Sequence, residues 1–247
     1  MSLESIIALA VLIFLAALLY SSVGHAGASA YIAAMALFGV APMVMKPTAL
    51  ALNILVAVIT TLKYHRAGYF SWKIFWPFAL TSVPLAFLGG RISLPDPVYK
   101  VLIGFVLLYA AYLIFAAATQ PAVERHKPLP LAMGLICGAV IGFVSGLTGV
   151  GGGIFLSPVL IFSLWATVKQ TSGIAAAFIL VNSIAGLLGL LSMHPVLPQS
   201  LPLWAVAALA GGWLGAEFGS KRLGNPTIQK LLALVLLIAG LKMVFTS

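Results

Sequence analysis

Acidic residues are nearly missing from this chain, with four Asp and Glu among 247 residues against thirteen Lys and Arg. Charges of either sign make up 7%, where a soluble protein carries about 25%. So few charges cannot keep a chain that is 62% apolar in solution. That excludes a soluble enzyme, a nucleic-acid binder and a disordered scaffold. The single cysteine, Cys137, excludes an internal disulfide framework and a Cys-pair redox relay. It lies in an apolar, Gly-rich stretch and reads as a packing residue. No G-x-x-x-x-G-K-[ST] pattern occurs, so the chain does not hydrolyse ATP through a P-loop. No Cys, His, Asp or Glu cluster has metal-ligand spacing, and Ser145 and Ser157 have no acid or base nearby. Catalytic residues, metal and cofactor are all expected to be absent. The start, Met1-Ser-Leu-Glu4, has no basic n-region, so the first apolar segment is expected to stay in the membrane rather than be cleaved.

What remains is a mean hydropathy of +1.17, the value of a polytopic membrane protein. A spanning helix needs about 20 mostly apolar residues. Residues 5–45 hold no Asp, Glu, Lys or Arg, and neither do residues 128–168, each a run of 41. One helix of that length would be about 60 Å long, twice the hydrocarbon core. Each run is therefore expected to fold back. Each has a glycine-rich break near its middle, Gly24-His-Ala-Gly-Ala28 in the first and Gly149-Val-Gly-Gly-Gly153 in the second. Further spans are expected over 47–62, 74–90, 101–118, 170–191, 203–219 and 227–245.

The order of segments recurs, which is an internal repeat. Lys46 and Thr48 match Lys169 and Thr171, and Gly24 matches Gly149. The expected fold is all-α, with two inverted repeats of about five helical elements. The first two elements of each half are joined at the break. Residues 1–119 form the first repeat, 120–130 a cytoplasmic linker and 131–247 the second repeat. Charge selects the inversion. If each long run crosses twice, Lys63, Arg66, Lys73, Arg125, Lys127, Lys169, Lys221, Arg222 and Lys230 share one side, and Lys46, Arg91, Lys100 and Lys242 the other. If each crosses once, the bias disappears. The positive-inside rule favours the first arrangement and puts both termini outside.

Inverted repeats with broken helices are a transporter signature, with solute held near the midplane. A break inside lipid leaves N–H groups unpaired, which is tolerated where they face a cavity or ligand. A helix that starts after the break aims N–H groups and a positive dipole end there, a setting for an anion. Gly149, Val150, Gly151, Gly152 and Gly153 fit this description, as do Gly24, His25, Ala26, Gly27, Ala28 and Ser29. Close packing through small residues is the better account of one glycine run, and two at matched positions favour the cavity over packing, which stays the alternative. His25 is the only side chain in its charge-free run that ordinarily titrates near neutral pH. It is either an anion contact or proton site, or a neutral structural histidine. Asn53, Asn182 and Ser183 lie in the helices after the breaks, as solute donors or as inter-helix hydrogen bonds. Thr48, Thr171 and Ser172 are expected at helix starts, as N-caps before solute contacts. Lys46 and Lys169 are expected to snorkel to the interface, their alternative being to draw anions toward the pore. Glu217 is expected to pair with Lys221, four residues on. Carboxylates are nearly absent from the spans, Glu217 lying near the end of its own, which argues against metal-cation transport.

The stretch Gly142-Phe-Val-Ser-Gly-Leu-Thr-Gly-Val-Gly-Gly-Gly-Ile-Phe-Leu-Ser-Pro158 resembles the TauE/SafE sulfite-exporter family. So do Lys169-Gln-Thr-Ser-Gly173 and Val181-Asn-Ser183. The first half echoes them in Ser22-Val-Gly-His-Ala-Gly-Ala-Ser29, Lys46-Pro-Thr48 and Asn53, and Tyr64-His-Arg-Ala-Gly-Tyr-Phe-Ser-Trp72 looks like the family's basic loop. The first half departs from the motif at His25, Ala26 and Ala28. The resemblance implies export of sulfite or small organosulfonates across a bacterial inner membrane by a secondary carrier. An anion channel, or a transporter of another small solute, is the alternative. A membrane enzyme or a subunit of a larger machine would need a catalytic constellation that the sequence lacks. The expected partners are a small anion and the lipid bilayer, with no nucleic acid. Small-residue faces such as Gly211-Gly-Trp-Leu-Gly215 suit packing within the chain or in a homodimer.

Overall fold

The computed structural model describes residues 1–117, 127–192, 197–221 and 226–245, and these form ten helices and no strand. The first half gives α1 (Leu3–Ser21), α2 (Ala28–Leu37), α3 (Pro42–Arg66), α4 (Trp72–Gly90) and α5 (Asp96–Ala117). The second gives α6 (Leu131–Thr148), α7 (Gly153–Phe162), α8 (Val168–Leu191), α9 (Leu201–Lys221) and α10 (Pro226–Phe245). Among the described residues, seven helices are long and apolar enough to cross a membrane: α1, α3, α4, α5, α6, α8 and α9. Helices suit lipid because they pair every backbone group within the segment. Of the linker expected at 120–130, residues 120–126 lie outside the described set.

Each charge-free run folds as one long helix and one half-length helix. At 10 residues, α2 and α7 each rise about 15 Å, half of a hydrocarbon core. The end of α1 meets the end of α3, where the Tyr64 hydroxyl donates to the Ser22 carbonyl at 2.8 Å. The end of α7 returns to the start of α6, where the Lys127 N–H donates to the Leu164 carbonyl at 2.8 Å. Span limits differ from expectation at α3, which begins at Pro42 and runs to Arg66, so that both Lys46 and Lys63 lie inside it. Proline is tolerated at its first position, whose N–H needs no helical partner.

α3 and α8 form the centre. They are buried over 61% and 67% of their spans, against 33–44% for the other spanning helices. They run antiparallel, with Leu50 beside Gly186 and Asn53 beside Ser183. Around them the main pairings join the two halves: α1 with α9, α4 with α6, and α5 with α10. The same pairs result when α1–α5 are exchanged for α6–α10.

Two glycine stripes set these approaches. Gly138, Gly142 and Gly146 of α6 face Phe78, Ser82 and Ala86 of α4 in matching steps of four, so the helices run parallel. Gly211, Gly215 and Gly219 of α9 face Phe14, Leu18 and Ser22 of α1 in the same way. A Cβ at Gly146 would stand 2.0 Å from the Ala86 carbonyl oxygen. Small residues let backbones come this close without a hydrophobic drive between helices. The Gly211 and Gly215 face therefore packs inside the chain. Large apolar side chains such as Leu3, Ile7, Val11 and Val206 point outward, as lipid-facing positions should.

The charges sort to the two ends of the bundle. Glu217 pairs with Lys221, as expected, and also with Lys63 of α3. The Lys63 ammonium lies 4.1 Å from the centre of the Trp213 ring. Lys169 donates to the Tyr69 hydroxyl at 3.1 Å. Toward the other end, Lys46 does not snorkel. It is 6% exposed, and its ammonium donates to the carbonyls of Gly89, Gly90 and Ile92 at 3.2–3.4 Å. Those groups close α4, and a helix end leaves its last carbonyls unpaired and partly negative. Lys242 does the same for α2, donating to the Leu37 carbonyl at 2.8 Å. The expected threonine caps are also corrected. Thr48 lies in the second turn of α3 and Thr171 inside α8, while Thr167 caps α8 in a reciprocal box with Gln170. Ser172 lies inside α8 and donates to the Val23 carbonyl, tying that helix to the first break.

Candidate functional site

Both breaks are glycine turns in the left-handed region. Gly27 caps the start of α2 with φ of 107°, and Gly152 caps α7 with φ of 81°. An L side chain is strained at such angles. The turns also bring each short helix's first N–H groups, which have no helical partner, toward the middle of the protein.

The two breaks meet there. The Nε2 of His25 lies 3.2 Å from the Gly153 carbonyl and 3.0 Å from the Ser157 hydroxyl, so it touches the first two turns of α7. A carbonyl only accepts, so in this arrangement Nε2 carries the proton. Asn53, 1% exposed on α3, uses both ends of its amide. Its Oδ1 accepts the Ala28 N–H at 3.0 Å, and its Nδ2 donates to the Ser183 hydroxyl at 3.1 Å and the Val150 carbonyl at 3.4 Å. One side chain thus holds the start of α2, the second break and α8.

A small cavity lies at this junction, lined by Tyr20, His25, Ser29, Asn53, Val150 and Ile179, among others. It has room for about one water molecule. Among the described residues, its lining includes no Lys, Arg, Asp or Glu. Ser29 donates to the Tyr20 hydroxyl at 2.9 Å, and Tyr31 donates to the Ala26 carbonyl at 2.6 Å. The wall is thus made of neutral donors, backbone and apolar side chains.

The residues singled out in the sequence divide into two groups. His25, Ala26, Gly27, Ala28, Ser29, Asn53 and Val150 line the cavity. Ser183 and Gly151 adjoin it through Asn53, and Gly153 through His25. The others face elsewhere. Gly24 packs on Ser172, Gly149 on Lys46, and Gly152 on Phe178 and Ile141. Thr171 is buried, with no hydrogen-bond partner for its hydroxyl among the described residues. Asn182 turns back on its own helix, donating to the Phe178 carbonyl at 2.8 Å. Tyr20, Tyr31 and Ile179 do not stand out in the sequence. Ser157, expected to have no acid or base nearby, is corrected: its hydroxyl lies 3.0 Å from the His25 imidazole. Tyr20 and Tyr31 stand five residues before and six after His25. A phenol in an apolar run must find a partner, and that requirement was the available signal.

Residues 9–243 match the family model described as "Sulfite exporter TauE/SafE". The chain is 43% identical over 242 residues to "Probable membrane transporter protein y4hK" of Sinorhizobium fredii, covering 97% of this chain and 98% of that one. It is 23% identical to "Probable membrane transporter protein YunE" of Bacillus subtilis, covering 83% and 82%. It is 26% identical to "Probable membrane transporter protein YjnA" of the same organism, covering 90% and 92%. No solved structure matches significantly. With a family match over nearly its whole length and a close relative of the same extent, this multi-pass chain belongs to the TauE/SafE family of membrane transporters.

Proposed function

We propose that the chain is a secondary carrier that exports a small sulfur-containing oxyanion, such as sulfite or an organosulfonate, across the bacterial inner membrane. The observation that carries this reading is the meeting of two glycine breaks at one cavity whose lining, among the described residues, includes no Lys, Arg, Asp or Glu. Two short helices direct their N-terminal dipoles at it. The Tyr20 hydroxyl accepts from Ser29, which leaves its own proton for a solute oxygen. An anion leaving a negative-inside cell gains about 2.3 kcal/mol per charge per 100 mV, so strong coupling is not required.

The parallel α1–α9 and α4–α6 pairs, with antiparallel α3–α8, are what two inverted repeats would produce. With the basic residues counted inside, both termini lie outside. The cavity holds about one water and no oxyanion, so solute must open it. That favours alternating access over a standing channel.

The test is stabilisation of the purified, detergent-solubilised protein by sulfite, thiosulfate and sulfoacetate, beside sulfate, acetate and divalent cations, followed by sulfite efflux from proteoliposomes. A raised melting temperature with one sulfur oxyanion, and saturable efflux of the same ion, are expected. Stabilisation by a metal alone, or unitary currents in place of saturable flux, would sink the carrier reading.

A further inference from the structure

The cavity that would receive the anion already contains an acceptor. The Asn53 amide oxygen takes the Ala28 N–H, the first of α2, at 3.0 Å. The same amide's nitrogen holds Ser183 and the second break through Val150. Asn53 therefore presents to the helix start the hydrogen-bond chemistry that an oxyanion oxygen would present. It does so from a buried position at the edge of the cavity.

We propose that Asn53 is a built-in stand-in for the solute: its amide oxygen occupies one anion-oxygen position in the closed, empty carrier, and incoming anion displaces it. This rests on the anion reading above and goes beyond it, because it makes Asn53 a competitor of the solute and not one of its donors. Three observations point the same way. The space left beside Asn53 suits a water and not a tetrahedral or pyramidal oxyanion, so something lining the cavity must move. Asn53, like His25, lines the cavity and joins both breaks, so its release loosens the start of α2 and the second break together. Gly151 gives the amide no slack, since a Cβ there would stand 2.4 Å from Nδ2. The occupied amide thus keeps an empty site closed, and it sets a threshold. A solute must offer a better acceptor than a neutral amide, which a charged oxygen does and a neutral solute does not.

The experiment measures sulfite affinity of the full-length protein in nanodiscs by calorimetry, comparing wild type with Asn53→Ala, Asn53→Thr and Asn53→Asp. Losing one neutral competing hydrogen bond predicts about fivefold tighter sulfite binding in Asn53→Ala. Asn53→Thr fills more of the space and still lacks the amide, so it should move the same way, and it serves if the alanine variant does not fold. Asn53→Asp keeps the acceptor shape and adds a negative charge, so sulfite binding should weaken at least about tenfold. Weaker binding in Asn53→Ala or Asn53→Thr would make Asn53 a donor to the anion and overturn the proposal. So would unchanged affinity in any of the three. If wild type and every variant ignore sulfite, thiosulfate and sulfoacetate alike, the anion reading itself fails and this inference falls with it.

Discussion

His25 and Gly153 stand 128 positions apart in the chain, yet the imidazole Nε2 of one lies 3.2 Å from the carbonyl of the other. This contact, with Ser157 beside it at 3.0 Å, joins the first break directly to the second helix start. Removing it in His25→Ala should cost about 1–2 kcal/mol of stability and slow sulfite efflux. His25→Gln can place an amide N–H near the Nε2 position and should recover most of the stability. We expect its efflux to keep the wild-type pH profile. A flattened profile would assign the histidine a proton to carry.

Lys46 is bound to backbone carbonyls and does not line the cavity. Lys46→Met keeps the aliphatic stem against Gly149 and removes the ammonium. It should lower thermal stability by about 1–3 kcal/mol, because three carbonyls at the end of α4 lose their donor. Sulfite affinity should stay within about twofold of wild type. A large loss of affinity at unchanged stability would instead make Lys46 an anion-attracting residue.

The glycine stripes predict a steep contrast between positions. Gly146→Ala places a methyl against the Ala86 carbonyl and should cost at least about 3 kcal/mol, with loss of monodisperse protein in detergent. Gly39 has a positive φ of 69° but open space around it. Gly39→Ala should cost about 1–2 kcal/mol, from backbone strain alone. Equal melting temperatures for the two variants would contradict the close packing of α4 on α6.

Sidedness can be read by labelling. In a Cys137→Ser background, Ser2→Cys and Gln199→Cys should react with a membrane-impermeant maleimide in intact cells. Ala67→Cys, in the loop between α3 and α4, should react only after lysis. All three positions are exposed. The reverse pattern would flip the topology and turn the positive residues outward.

Local features were legible in the sequence, and partners far along the chain were not. The two breaks, the folding back of each run there and the Glu217–Lys221 pair each follow from residues a few positions apart. Lys63 is 154 positions from Glu217, and nothing near it announces that contact. Lys46 was misread for the same reason, since its acceptors lie 43 to 46 positions away. Asn53 and Asn182 looked alike as amides in apolar helices. Only the fold separates them, one spanning both breaks and the other bonded to its own helix. Tyr20 and Tyr31 passed as apolar filling because burial and a hydroxyl partner look the same in one dimension.

The pairing of α1 with α9, α4 with α6 and α5 with α10 has a consequence for how the protein is made. Neither half, α1–α5 or α6–α10, packs chiefly on itself. When the ribosome has released α1–α5, the carbonyl ridges of α1 and α4 still lack the glycine stripes that will cover them, because both stripes lie in α6 and α9. Residues 131–247 follow at about 5–20 residues per second, which leaves the first five helices waiting in the bilayer for roughly 6–25 s. During that interval their unfinished faces are held by lipid or by the insertion machinery. Truncation after α5 should therefore yield a chain that inserts and is then degraded, and a cell that starts this protein commits to finishing it.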